Sequence, residues 1–337
     1  MKDNKSVIYW LLTGCLLIFI MVVVGGITRL THSGLSISNY KLISGTIPPM
    51  NEIEWQEAFD LYKQYPEYQK INSDFNLQDF KEIYFWEWIH RVIGRFIGVV
   101  FIIPFVYFLL KKQLTKATIK KSILLLFLGA FQGFLGWYMV KSGLVERPDV
   151  SHYRLALHLT TAFITFSFAL WIALDIKFPK QKEVNTSLRN LIRVTFLLLI
   201  IQIIWGAFVA GLDAGFIHNT WPLMNDGKLI HETVYIEQNP IWRNFIEGKS
   251  GVQFIHRYLA YIVVALILFI WFKAKKQTIS SFQKSLLKSL LVIVLLQFIL
   301  GVFTLIYQVP VILGVLHQVV AFFLLAVMTI TLHRFSK

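Results

Sequence analysis

The chain has 337 residues, of which 56% are apolar and 15% charged, and its 33 Lys and Arg outnumber 19 Asp and Glu to give a formal net charge of +14. Several apolar runs reach roughly 20 residues, about the length that crosses the hydrocarbon core of a bilayer, which excludes a soluble domain and points to an integral membrane protein. The basic excess is spread over the segments between those runs rather than gathered into one patch or tail, which argues against nucleic acid as a partner.

In chain order, spans are expected at about 8–29, 88–110, 121–141, 152–174, 190–211, 252–272, 285–307 and 311–333. Each is read as a helix, because hydrocarbon offers nothing to an open backbone. The first is a full span without a small-residue cleavage site behind it, so it reads as a retained helix and not a secretory signal. Its Cys15 is the sole cysteine, which leaves no intrachain disulfide and argues against a cysteine metal centre. Between 50 and 86 the chain is polar, aromatic and acidic. Trp55, Phe59, Tyr62 and Tyr65 recur there as the apolar stripe of a helix expected on the membrane surface, either as a lid or as a plain cap. Asp213 and Asn219-Thr220-Trp221-Pro222 suit a turn capping the later helices.

Nineteen of the basic residues fall in one alternating set of segments, from Lys2 and Lys5 through 111–121, 177–193 and 273–288 to Arg334 and Lys337. This positive-inside pattern places both termini in the cytoplasm. With only seven residues ahead of the first span, no room is left for a mitochondrial transit peptide, and a bacterial plasma membrane is expected.

The chain also repeats itself. Phe85-Trp86-Glu87-Trp88-Ile89-His90-Arg91 is echoed by Phe254-Ile255-His256-Arg257, Gln132-x-x-Leu135-Gly136 by Gln297-x-x-Leu300-Gly301, and His158 by His317. An offset of an even number of spans keeps both copies in the same orientation. The fold expected is therefore all-α, eight transmembrane helices arranged as two parallel-repeat four-helix bundles, 1–175 and 190–337, divided by a polar cytoplasmic linker near 175–189.

Four histidines, His90, His158, His256 and His317, stand at matching ends of four separate spans. Each is followed four residues later by a small residue, Gly94, Ala162, Ala260 or Ala321, one turn deeper on the same helical face. One such pair alone reads as close helix packing. Four together read as two pairs of axial ligands with room for two flat macrocycles, since neutral imidazole is a common iron ligand. His32, His152, His218, His231 and His333 lie in loops, at an inner end or on another face and are read as structural. Arg91, Arg95, Arg154 and Arg257, near the ligands, are expected to meet heme propionates through charge-assisted hydrogen bonds, or to snorkel to the interface. Glu87 stands one turn before His90 at the membrane edge, where a carboxylate needs a partner or a task. The corresponding residue before His256 is Gln253, an asymmetry that suggests one heme is worked upon while the other carries electrons.

Taken with Gly25-Gly26-Ile27-Thr28-Arg29, Ser33-Gly34-Leu35-Ser36, Gly136-Trp137, Lys141, Gly143, Gly211-Leu212-Asp213-Ala214-Gly215 and His317-Gln318, these stretches resemble the heme A synthase family, in order from about residue 10 to 330. The first outer loop has no cysteine pair, which places the chain nearer the cysteine-free branch. The resemblance implies an oxidoreductase of cytochrome oxidase assembly that oxidises the C8 methyl of heme O to the formyl of heme A. It implies that His90 and His158 flank the substrate heme O in the first half, that His256 and His317 ligate heme b in the second, and that Glu87 belongs to an acidic Glu-x-x-His motif; from its position at the membrane edge, Glu87 is expected to accept protons or stabilise positive charge at the oxidised carbon. Partners implied are heme O and heme A, the heme O-forming enzyme, oxidase assembly factors and a second copy of the chain. The rival readings are a quinol-linked diheme electron-transfer cytochrome, which would not need the Glu87 asymmetry, and a transporter, which should carry ionisable groups nearer the midplane.

Overall fold

A computed structural model of the chain describes residues 5–37, 44–144, 149–178 and 185–336. Positions 179–184 of the expected cytoplasmic linker, together with Lys2, Arg147 and Lys337 of the charge pattern, lie outside the described residues. In chain order the helices are α1 Lys5–Leu30, α2 Glu52–Tyr62, α3 Pro66–Lys70, α4 Leu77–Leu110, α5 Lys116–Gly143 and α6 His152–Lys177. They continue with α7 Thr186–Gly211, α8 Thr233–Ile236, α9 Asn244–Glu247, α10 Lys249–Lys275, α11 Ser281–Ile306 and α12 Val311–Ser336. Eight of these, α1, α4, α5, α6, α7, α10, α11 and α12, are long and apolar enough to cross a membrane, and no strand occurs among the described residues. Large apolar side chains along them, among them Ile103, Leu110, Phe127, Phe272 and Ile312, are exposed, as surfaces facing lipid must be.

Polar residues set where the spans begin. α4 opens with a capping box: Asn76 Oδ1 accepts from the Gln78 and Asp79 N–H groups, and the Asp79 carboxylate accepts from the Asn76 N–H. The helix therefore starts eleven residues ahead of the expected span. Ser280 and Gln283 form the same device at α11, and Thr115 and Asn185 cap α5 and α7 through their side-chain oxygens.

The described chain divides into two compact units, residues 13–158 and residues 1–12 with 159–337. In the first, the expected surface helix is broken into α2 and α3. Its stripe does not face the membrane. Phe59 and Tyr62 instead close on Phe80 and Ile83 of the α4 extension, with Trp55, Tyr68, Phe75, Leu77 and Tyr84 around them. The Phe59 and Phe80 rings stack at 5.2 Å, and full burial of each such side chain is worth about 1.5–3 kcal/mol, so the α4 extension and the α2–α3 segment hold one another. Tyr65 falls out of the stripe because it caps α3 ahead of Pro66, and Tyr68 takes its place against Phe59.

In the second unit α7, α10, α11 and α12 pack in a closed cycle, each against the next and α12 back on α7. The later turns of α6 lie along α12, with Phe163 and Phe166 on Phe322, Thr329 Oγ1 donating to Ser167 at 3.2 Å, and His333 bonded to Asp175 at 3.0 Å. Outside the spans, the segment between α7 and α10 is knotted around Asn244. This fully buried side chain donates to the Tyr235, Gln238 and Ile241 carbonyls and accepts from the Gln238 N–H.

Candidate functional site

Each of the four matched histidines rests against a glycine of another spanning helix. A methyl added to Gly25 of α1 would lie 3.4 Å from His90 Nε2, and one on Gly136 of α5 would lie 3.5 Å from His158 Cε1. In the other unit a methyl on Gly206 of α7 would lie 3.0 Å from His256 Cε1, and one on Gly301 of α11 would lie 2.9 Å from His317 Cε1. One pair of histidines falls in each compact unit. The His256 and His317 rings stand 6.5 Å apart between centroids, at 78° to each other.

This arrangement fits heme. A metal sits about 2 Å from an imidazole nitrogen that binds it, so two rings on opposite faces of one metal must stand several ångströms apart, as His256 and His317 do. His158 Nδ1 is buried with no hydrogen-bond partner among the described residues, a polar atom that a bound group or reorientation has to satisfy. His90 and His158 are thus the candidate pair for one heme iron, and His256 and His317 for the other.

Glu87 is 2% exposed and held on three sides. Its Oε2 accepts from Ser36 Oγ and from the Ile37 N–H, both at 2.7 Å, and its Oε1 accepts from Arg91 Nη2 at 2.5 Å. Three donors and no acceptor suit a carboxylate rather than a carboxylic acid. Arg91 also donates to the Ile37 carbonyl at 2.7 Å. The other unit repeats the plan with altered chemistry. Arg257, like Arg91 the residue after a candidate ligand histidine, donates to the His218 carbonyl at 3.3 Å and to the Thr220, Pro222 and Leu223 carbonyls. Ile37 and His218 each lie twelve residues after the glycine that seats the histidine. Gln253 donates to the Ala214 carbonyl at 2.9 Å and to that of Ile217, where Glu87 accepts.

The cations expected at propionates are therefore placed as follows. Arg91 fastens the loop after α1 and Arg257 the segment between α7 and α10, Arg154 donates to the Tyr138 carbonyl at 2.6 Å and lies 3.7 Å over the Tyr138 ring, and Arg95 is half-buried one turn beyond Arg91. Three of the histidines read as structural have polar partners of their own. His218 and His231 meet Thr233, Ser250 and Asp226, burial holds His218 below the ordinary histidine range, and His333 pairs with Asp175.

Sequence reasoning missed Gly25 and Gly206 as seats and Gln202 as a neighbour of His256. The residue four before each seating glycine is Met21, Gln132, Gln202 or Gln297. Gln132 donates to the His158 carbonyl at 3.3 Å, Gln202 to that of His256 at 2.9 Å, and Gln297 touches the His317 ring.

Residues 8–329 match the family described as cytochrome oxidase assembly protein. The chain is 62% identical over 340 residues to the heme A synthase of Flavobacterium johnsoniae, covering 100% of this chain and 99% of the relative. It is 61% identical to that of Flavobacterium psychrophilum, with both chains covered in full, and 42% identical to that of Parvibaculum lavamentivorans, over 99% of this chain and 96% of the relative.

Proposed function

The chain belongs to the heme A synthase family of cytochrome oxidase assembly proteins, and from that premise we propose that it converts heme O to heme A by oxidising the C8 methyl to a formyl group. The observation that carries this reading is the pair of histidine sites, alike in ligand, glycine seat and loop-fastening arginine yet unlike in the residue three before the first histidine, Glu87 in one and Gln253 in the other.

On this reading the halves are 1–175 and 190–337. His90 and His158 flank the substrate, and His256 and His317 hold heme b. Heme b, when bound, supplies a one-electron carrier for the four electrons that leave the carbon. The chain does the rest. The glycines give each imidazole room against a neighbouring helix. Arg91 and Arg257 keep the outer loops seated over the two sites, and the lid of α2 and α3, fixed by Phe59 and Tyr62 on Phe80, limits water above the first. Arg95 and Arg154 are the cations assigned to the substrate propionates on this reading. Glu87, with Ser36, Ile37 and Arg91 donating to it, works as a fixed negative charge one turn from His90, favouring positive charge that develops on the substrate carbon.

The charge distribution supports a plasma-membrane protein of bacteria with both termini cytoplasmic and both sites near the outer face. A substrate this apolar favours direct transfer from the heme O-forming enzyme, and oxidase assembly factors or a second copy are further partners. The test is chromatography of hemes extracted from heme A-deficient bacterial membranes that express this chain with a heme O-forming enzyme. Heme A is the expected product. Two equivalents of heme B in the purified protein and no heme A would instead identify a diheme electron-transfer cytochrome.

A further inference from the structure

The two histidine pairs differ in what holds their rings. In the 159–337 unit a glutamine amide reaches each one. Gln202 Nε2 lies 3.2 Å from His256 Nδ1 while donating to the His256 carbonyl at 2.9 Å, and Gln297 Nε2 stands over His317, 3.2 Å from both ring nitrogens. Both amides come from the helix that carries the seating glycine, one turn away on the same face. In the 13–158 unit the equivalent positions do not do this. Gln132 reaches only the backbone of His158, leaving His158 Nδ1 buried without a hydrogen-bond partner among the described residues. Met21, which replaces glutamine ahead of Gly25, has no donor, and its Cε lies 3.2 Å from where a methyl on Gly94 would stand.

An imidazole that binds iron through one nitrogen carries its proton on the other, and the group that accepts that proton fixes both tautomer and ring orientation. Gln202 Oε1 and Gln297 Oε1 are each buried without a partner among the described residues, so each side chain holds an acceptor within reach of the ring beside it. Turning the amide delivers it at Gln297, because amide oxygen and nitrogen are nearly the same shape; at Gln202 the same turn gives up the bond to the His256 carbonyl in exchange for one from the ring. A ring held in this way is ready to bind and slow to let go. A ring without it has to be ordered each time a heme arrives and is freed at little cost when the heme leaves.

We propose that Gln202 and Gln297 are positioning residues that make the His256/His317 heme resident, and that Met21 and the backbone-directed Gln132 leave the His90/His158 rings free enough for the other heme to come and go as substrate and product. The inference rests on the heme A synthase reading, which requires one heme to stay and one to exchange.

The test is the rate at which the purified, heme-loaded full-length protein gives up heme b to excess apomyoglobin, followed by absorbance. Gln202→Met and Gln297→Met place at the second site what the first has at Met21, and similar side-chain volume preserves packing. Each is expected to speed heme b release by about 10- to 100-fold, the usual cost of losing a group that orients a metal-binding histidine, and to shift the heme b midpoint potential. Gln132→Met should leave heme b release at the wild-type rate. Wild-type release from both glutamine variants overturns the proposal, and so does equal acceleration by Gln132→Met, which would mark a general loosening of the helices. The two readings fail differently. A wild-type protein that holds two hemes of equally slow release defeats the synthase reading, whereas one slow heme indifferent to Gln202 and Gln297 defeats only the assignment to glutamine.

Discussion

Replacing Gly301 by alanine tests the seat of His317 most sharply. The new methyl would lie 2.9 Å from His317 Cε1, whereas carbon atoms pack at about 3.5–4.0 Å, so the ring has to retreat by about half an ångström or more. A metal–nitrogen bond tolerates deviations of only about 0.2 Å, and the strain of such overpacking is typically about 1–3 kcal/mol. That corresponds to heme b retention weakened by about 5- to 150-fold. The fold itself should not suffer, because alanine is the better helix former by roughly 1 kcal/mol. Heme b per polypeptide and the rate of its transfer to apomyoglobin are the measurements. Gly206→Ala, with its methyl 3.0 Å from His256, should follow Gly301→Ala, while Gly136→Ala, at 3.5 Å from His158, makes an ordinary contact and should leave the substrate site nearly unchanged. Full heme b content and wild-type release in Gly301→Ala would refute the idea that the glycine seats the ligand.

His256→Ala should lose heme b while the chain remains helical and membrane-inserted; normal heme b in that variant would remove His256 from the ligand set. Asn244→Ala leaves three carbonyls and one N–H of the outer cap without their partner, a loss of about 3 kcal/mol, which limited proteolysis of the 212–248 segment should reveal as cleavage at lower temperature than in wild type. The lid should loosen with rising pH. Burial pushes Glu67 up to about 8 from an ordinary glutamate value near 4.5, against the Tyr62 hydroxyl bond that lowers it and with Glu87 and Asp149 adding repulsion that Arg29 partly offsets. Because the folded form holds the proton more tightly than the unfolded one, stability is greatest below pH 4.5 and declines as pH rises toward 8, by up to about 1.4 kcal/mol per pH unit. Hydrogen exchange of the α2 and α3 amides at pH 5.5 and 8.5 should show this, and Glu67→Gln should abolish the difference; a pH-independent lid in wild type would contradict the burial argument.

The spans were legible because a run of apolar residues long enough to cross hydrocarbon has few other uses, and the four ligand candidates because a small residue follows each at one helical turn. Their ends were less so. α4 begins at Leu77 because Asn76 and Asp79 cap it in a polar stretch that hydropathy alone assigns to a loop. The stripe at Trp55, Phe59 and Tyr62 announced a helix but not what it faces, since an apolar stripe fits a bilayer surface and a neighbouring helix equally. Gly25 and Gly206 gave no sign of being seats because glycine is frequent in membrane helices, and only the approach of an imidazole separates a seat from a packing residue. Gln202 escaped notice because Trp205 stands where its counterparts have Leu135 and Leu300. The directions of Arg91 and Arg257 were hidden for a different reason: their acceptors are backbone carbonyls, which every residue has.

Comparison of Glu87 with Gln253 isolates what charge contributes. Both stand three residues before a candidate ligand histidine, both are 2% exposed, and both tie a neighbouring loop to the helix. Gln253 does so as a neutral donor, so tethering alone requires no carboxylate. Burying one costs several kcal/mol unless it is paired, and Arg91, Ser36 and Ile37 supply that pairing at the expense of three donors. A charge kept under those terms, and only in the half assigned to the substrate, is best explained by the reaction. Glu87→Gln retains an acceptor oxygen for Ser36 and Ile37 but turns an amide NH2 toward Arg91, so it removes the charge together with one acceptor; the variant should still fold and keep heme b at wild-type content. Heme A formation should fall by about 100- to 1000-fold, the usual loss when one preorganised electrostatic group is removed from an active site. Heme A output near wild type from that variant would return Glu87 to the role of Gln253, a loop tether.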